Sequence, residues 1–155
     1  MPTVHEGREE VAGRNFGIVV SRFNEPVTAR LLDGATRCLE AHGADMERLE
    51  VVWVPGAFEI AGMAAKMVDA GRFDGIICLG AVIRGETPHF DYVSAEVARG
   101  VGALAATGCM PVIFGVLTTD DAAQAFERAG SDAKNKGWEA AVAAMEMADL
   151  YARFS

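Results

Sequence analysis

Four apolar, β-rich runs, each followed by a stretch of helical character, predict a single-domain three-layer α/β/α sandwich built on a four-stranded parallel sheet. Three observations carry that prediction. Strand-like and helix-like segments alternate along the chain, the order that right-handed crossovers between parallel strands demand. The run Gly75-Ile76-Ile77-Cys78-Leu79-Gly80-Ala81-Val82-Ile83 is apolar at consecutive positions, as in a strand covered on both faces. A chain of 155 residues, 51% hydrophobic, suffices for one core but would leave two domains marginal.

The first strand is read from Asn15-Phe16-Gly17-Ile18-Val19-Val20, closed by the polar turn Ser21-Arg22-Phe23-Asn24-Glu25-Pro26. Beyond Pro26, Val27, Leu31, Ala35 and Leu39 recur at helical spacing until Gly43, which predicts a helix over 27–41. Residues 49–54 form the second β-rich run, ended by Pro55-Gly56. A helix over 57–70 follows, with Ile60, Ala64 and Met67 on one side and Gly71 as its stop. The third strand lies within 73–83. The next helix, over 91–106, turns Val93, Val97, Val101 and Leu104 inward and breaks at Gly108.

Pro111-Val112-Ile113-Phe114-Gly115-Val116-Leu117 is the fourth strand, and Thr118-Thr119-Asp120-Asp121 has the capping-box spacing that opens a short helix through Arg128. Asn135 is a plausible N-cap for a last helix over 136–151, whose apolar face carries Trp138, Val142 and Met145. Residues 1–13 stand outside the alternation and form an N-terminal extension to an α/β domain over 14–155. Thr3 and Val4 suit either an extra edge strand or a strand added to a neighbouring subunit.

Composition excludes several classes of function. The formal net charge of −8 and the scatter of the 14 basic residues speak against nucleic acid as a partner. No apolar stretch is long enough for a membrane span, and the N-terminus lacks the basic flank and apolar core of a secretory signal, so a cytoplasmic location is expected. Cys38, Cys78 and Cys109 are odd in number, widely spaced and set among apolar neighbours, the pattern of buried free thiols. His5 and His42 lack companions at metal-ligand spacing, so no metal site is expected.

In an open parallel sheet a ligand lies beyond the carboxyl ends of the strands. Four loops qualify: residues 21–26, 55–59, 84–90 and 118–121. In the third, Arg84-Gly85-Glu86-Thr87-Pro88-His89 joins a turn glycine, a hydroxyl and backbone donors near a helix N-terminus, a combination able to cradle a phosphate or to cap a surface turn. Histidine titrates near neutrality, so His89 is the candidate for proton transfer; a helix-start histidine bonded to Asp91 is the alternative. Glu59 and Glu86 suit the orientation of substrate hydroxyls or the first turn of a helix.

Phe23 and Phe58, aromatic residues in polar loops, are suited either to stacking on a flat heterocycle or to plugging the core. Trp53 and Trp138 read as packing residues. Arg128 and Lys136 flank the turn Gly130-Ser131-Asp132, where they serve an anion or solvate the surface. The glycine-rich dinucleotide fingerprint, the P-loop and the nucleophile elbow are all missing.

Five segments together resemble the 6,7-dimethyl-8-ribityllumazine synthase family of riboflavin biosynthesis. They are Ser21-Arg22-Phe23-Asn24; Val54-Pro55-Gly56-Ala57-Phe58-Glu59-Ile60; the stretch from Gly80 through Arg84-Gly85-Glu86-Thr87-Pro88-His89-Phe90-Asp91-Tyr92-Val93; Pro111 through Thr118-Thr119; and Asn135-Lys136-Gly137-Trp138-Glu139-Ala140-Ala141. They occur in the family's order and span nearly the whole domain. The resemblance implies a flavodoxin-like fold and the condensation of 5-amino-6-(D-ribitylamino)uracil with 3,4-dihydroxy-2-butanone 4-phosphate, with loss of phosphate and water and no cofactor or metal.

By the same resemblance Phe23 stacks on the pyrimidine, while Asn24 and the loop Gly56-Ala57-Phe58-Glu59 hold the ring and the ribityl chain. The backbone of Ala81-Val82-Ile83 meets the pyrimidine edge. Gly85, Glu86, Thr87 and Arg128 receive the phosphate, and His89 moves protons. Phe114, from an adjacent subunit, and Lys136 complete the pocket. The implied assembly is a homo-oligomer of pentamers with shared active sites, in some members a 60-subunit icosahedral shell, with Val97 to Leu104 lining the pentamer contact; riboflavin synthase is a further candidate partner.

Three positions depart from the common pattern. Phe90 stands where many members carry tyrosine, Asp132 where lysine is common, and Lys134 where glycine is common; the last two bear on phosphate affinity. The competing reading is a non-catalytic lumazine- or flavin-binding module, which would be marked by loss of His89 or Arg128. Both are present.

Overall fold

The computed structural model describes residues 1–155. Four strands, β1 (Phe16–Ser21), β2 (Glu50–Val54), β3 (Gly75–Ile83) and β4 (Val112–Thr119), form one sheet in the order β2-β1-β3-β4. Every pairing is parallel: Val19 lies opposite Val52 and Cys78, and Cys78 in turn opposite Phe114. The predicted three-layer sandwich is therefore the fold observed.

Helices α1 (Glu25–Ala41), α4 (Ala122–Arg128) and α5 (Lys136–Arg153) cover one face of the sheet, and α2 (Ile60–Ala70) and α3 (His89–Ala106) the other. Strand alternation divides the apolar side chains between two cores. Phe16, Ile18, Val20, Ile77, Leu79 and Leu117 meet Leu31, Leu39 and Met145 on the first face. Val19, Ile76, Cys78, Val112 and Val116 meet Ile60, Met67, Val97 and Val101 on the second. Each large aliphatic chain fully removed from water contributes roughly 1.5–3 kcal/mol, so the central strands β1 and β3, buried on both faces, hold the sheet together.

Where α1 and α5 cross, the backbones approach closely because both helices place glycine at the contact. A Cβ on Gly34 would collide with the Asn135 side chain, and one on Gly137 with the carbonyl oxygen of Leu31. A run of small residues, Ala140, Ala141 and Ala144, continues the close packing along α5.

Several boundaries differ from expectation. Helix α1 begins at Glu25, ahead of the predicted 27, because a proline in the first turn forfeits no intrahelical bond. Residues 57–59 form a short 3₁₀ turn leading into α2, and α3 starts at His89 instead of 91. Strand β4 runs on to Thr119, since Thr118 and Thr119 pair with Val82 and Ile83. The threonines are thus strand residues, and α4 is capped by Asp121, whose carboxylate accepts the Gln124 N–H at 2.8 Å.

Residues 1–13 add no strand to this chain's sheet. They lie along α5: the Arg8 N–H donates to Asp149 at 3.0 Å, the His5 ring meets Phe154 edge-on at 5.1 Å, and Val11 is buried in the first core. No helix is long and apolar enough to cross a membrane.

Candidate active site

The strand order reverses direction at β1: the chain passes outward to β2 and then returns across β1 to β3 and β4. Loops leaving the carboxyl ends of β1 and β3 diverge at such a switch point and leave a crevice between them. The principal cavity, of about 630 Å³, lies there, within the size range of small-molecule sites.

One wall comes from the segment after β1. The N–H groups of Arg22 and Phe23 donate to the carbonyls of Val54 and Pro55, at 2.7 and 3.0 Å, extending the β1–β2 ladder past the strand ends. Asn24 then turns the chain in a left-handed conformation, φ 63° and ψ 41°. Its carbonyl accepts the Val27 and Thr28 N–H groups, and its side-chain amide donates to the Ala81 carbonyl at 2.8 Å. This cross-brace fixes the segment against the end of β3 and leaves the Phe23 ring 71% exposed at the cavity. Arg22 is engaged elsewhere, over the Trp53 ring and beside Glu25.

The second wall is the turn after β2. Gly56 admits the Glu59 carboxylate close to its Cα; an added Cβ would lie 3.2 Å from Glu59 Oε1. Ala57 is buried, whereas Phe58 is exposed and lines the cavity with Gly56 and Glu59. The floor is Ala81, Val82 and Ile83, the first two buried. Gly85, Thr87 and His89 complete the enclosure, joined by Pro55, Phe90 and Val93. The His89 N–H reaches the Thr87 hydroxyl at 3.5 Å, so the loop leads directly into the first turn of α3 with the imidazole at the cavity.

Arg84 braces this loop. Its N–H donates to the Thr119 carbonyl at 2.9 Å, its guanidinium lies 3.2 Å from Asp120 and 3.7 Å from Asp91, and it covers the Phe90 ring at 4.5 Å. The cation is thereby engaged by two carboxylates, and it does not line the cavity.

Three predicted site residues gather in a different place. Phe114, Arg128 and Lys136 line a second cavity of about 320 Å³ between β4 and α5, together with Thr118 and Glu139. Arg128 donates to the Gln124 carbonyl at 3.1 Å and has no carboxylate partner, while Lys136 is paired with Glu139 at 3.0 Å. Phe114 is 45% exposed on an edge strand. Within one chain, then, Arg128 does not share a cavity with Gly85 and Thr87. Asn24 and Glu86 line neither cavity: Asn24 braces the floor, and Glu86 is exposed on its loop.

Arg84 and the lining residues Pro55 and Val93 carry no individual mark in the sequence as contributors to the site. The inward helical spacing of Val93 was the available signal. The thiols also require a correction: Cys38 and Cys78 are buried as expected, but Cys109 is exposed, placed by the left-handed turn at Gly108. Burial is the main cause that pushes the Cys38 thiol up to about 11 and Cys78 to about 12, with Glu9 and Asp132 adding to the rise at Cys38. Neither is a nucleophile at neutral pH. No three His, Cys, Asp or Glu side chains converge as a set able to hold a metal ion.

The chemistry of the principal cavity is thus an apolar floor, two exposed aromatic rings, one carboxylate, one imidazole and a glycine-threonine loop. Similarity to known proteins runs along nearly the whole chain. The sequence model described as 6,7-dimethyl-8-ribityllumazine synthase matches residues 13–152. A 6,7-dimethyl-8-ribityllumazine synthase of Clostridium kluyveri is 54% identical over 147 residues, covering 95% of this chain and 96% of its own. With every loop of the crevice inside the matched span, the chain belongs to the 6,7-dimethyl-8-ribityllumazine synthase family.

Proposed function

We propose that this protein joins 5-amino-6-(D-ribitylamino)uracil to 3,4-dihydroxy-2-butanone 4-phosphate, releasing phosphate and water, as the lumazine-forming step of riboflavin biosynthesis. The observation that carries the reading is the cavity at the switch point, which combines surfaces for a flat ring, a hydroxylated chain and an anion within family membership. Phe23 stacks on the pyrimidine, the backbone of Ala81, Val82 and Ile83 meets its edge, and the loop Gly56-Ala57-Phe58-Glu59 holds the ribityl hydroxyls. Asn24 holds that wall in place. Gly85, Glu86 and Thr87 receive the phosphate beside His89.

The amine attacks the ketone and water leaves to give an imine; loss of a carbon-bound proton expels phosphate and leaves an enol, which tautomerises to a ketone, and the second nitrogen attacks that carbonyl to close the ring with loss of water. Holding two reactants in register supplies much of the rate, and His89 relays protons among carbon, nitrogen and oxygen. Phosphate departure as an anion calls for a cation, and Arg84 is occupied. Arg128, unpaired beside the exposed Phe114 ring, is the suitable donor fork. We assign Phe114, Arg128 and Lys136 to the active site of an adjacent copy, so that the second cavity of one chain completes the first cavity of its neighbour.

Assembly into pentamers through residues 97–104 follows from this assignment, with a shell of such pentamers and contact with riboflavin synthase as extensions of it. The buried free thiols suit a reducing cytoplasm.

The test is absorbance and mass detection of 6,7-dimethyl-8-ribityllumazine after mixing protein with both substrates, against the protein-free reaction. Product forms faster with protein, and His89→Ala slows turnover by about tenfold or more while preserving assembly. Ring binding without acceleration would instead mark a non-catalytic binding module, and full turnover in His89→Ala at saturating substrates would remove the histidine from its role.

A further inference from the structure

We infer that Asn135 is a positioning residue for the phosphate side of the reaction, its buried amide fixing the turn that presents Arg128 and Lys136 to one cavity. The inference rests on the site reading above. Arg128 is the last residue of α4 and Lys136 the first of α5, and the turn between them includes a 3₁₀ segment at Asp132–Lys134. Both cations line the second cavity. Arg128 has no carboxylate to hold it, only the Gln124 carbonyl one turn back at 3.1 Å, so the placement of its long side chain follows the backbone at the end of α4 and the turn beyond it.

Asn135 is only 3% exposed, and its side chain makes four hydrogen bonds. The oxygen accepts the Gly137 and Trp138 N–H groups at 2.8 and 3.1 Å, which starts the helix that Lys136 opens. The nitrogen donates to the Gly130 and Arg30 carbonyls, each at 3.1 Å, closing the turn and tying it to α1. The backbone adds an antiparallel bridge between Ala129 and Asn135. Gly34 on α1 leaves the space in which the amide sits.

Capping alone needs the oxygen, which serine or aspartate also offers. The two bonds of the nitrogen therefore have a separate purpose, holding residues 129–135 as a rigid span between the two cations. Loss of those bonds frees the span while the first cavity, on the other helix layer and around other strand ends, keeps its form.

The experiment uses the whole chain with Asn135→Asp and Asn135→Ser, which retain a capping oxygen, beside Arg128→Ala. Steady-state rates are measured with each substrate varied in turn, with inorganic phosphate as a competing anion. The expected result is a rise of about tenfold in KM for the phosphorylated ketone and in the inhibition constant of inorganic phosphate. The KM for the pyrimidine stays near that of the unaltered protein, while kcat falls together with capture of the phosphorylated ketone, because Arg128 also serves the departing phosphate. Proportional changes in kcat and both KM values, or no change, overturn the inference.

An Arg128→Ala protein with unaltered dependence on the phosphorylated ketone would show the site reading itself to be at fault, whereas a strong Arg128 effect beside silent Asn135 variants rejects Asn135 alone. If neither variant folds, the unaltered chain decides. On titration with inorganic phosphate, the side-chain amide NMR signals of Asn135 shift and saturate with the Arg128 guanidinium signal; unmoved Asn135 signals beside a saturating Arg128 signal overturn the assignment.

Discussion

Asn24 shows how one residue couples backbone strain to the site. A left-handed conformation costs an ordinary L-residue roughly 1–2 kcal/mol, and asparagine is among the few that adopt it readily. Its amide then bonds the Ala81 carbonyl, so the same residue turns the chain and braces the cavity floor. Asn24→Ala loses both, at a cost of about 1–3 kcal/mol. Asn24→Gly keeps the conformation and loses only the brace. Urea unfolding should place the glycine variant between the alanine variant and the unaltered protein, with KM for the pyrimidine raised in both. An alanine variant as stable as the glycine one would show that the left-handed turn carries no strain here. Spacing along the chain could mark Asn24 as a loop residue near the ligand, but not as a brace, because its partner is 57 residues away.

At the scale of elements, the strands were legible because consecutive apolar residues leave few alternatives once both faces of a sheet are covered. Their ends were not. Thr118 and Thr119 look like a turn and a cap, yet pairing with Val82 and Ile83 draws them into β4, and the cap passes to Asp121. Long-range pairing outweighed a local signal. The division of the site into two cavities was hidden for a related reason: the order of loops in sequence says which strand ends they leave, not which helix layer their side chains join. Asp121→Ala should therefore destabilise the protein by about 1 kcal/mol, whereas Thr118→Ala, exposed and outside the cap, stays within about 0.5 kcal/mol. Since α4 ends in Arg128, the Asp121 variant also raises KM for the phosphorylated ketone. Thermal melts and kinetics on the two variants check the assignment, and a larger loss from Thr118→Ala would return the cap to the threonine.

For the whole molecule, the start and end of the chain meet at Asp149 on α5. The carboxylate accepts the Arg8 N–H and lies beside Arg153 and Arg14, the latter at 3.7 Å. The Arg8 hydrogen bond is the leading influence holding its carboxyl below the usual carboxylate range; partial burial opposes the shift, and the two guanidinium charges reinforce it. Since an unfolded aspartate titrates near about 3.9, the unfolded chain takes up the proton first as pH falls. The stabilisation is complete above that value and is lost on descent through the lower folded value. Asp149→Asn keeps an acceptor for the Arg8 N–H but removes the charge, so its stability should fall less steeply between pH 5 and pH 3, on the order of the range in which carboxylates titrate. Urea midpoints across that range measure the difference, and hydrogen exchange at residues 5–14 shows whether the N-terminal segment is released together with the acid loss. Equal slopes for the two proteins would mean that other carboxylates govern acid unfolding and that the N-terminal segment stays on α5 through its packed contacts, Val11 in the core and His5 against Phe154.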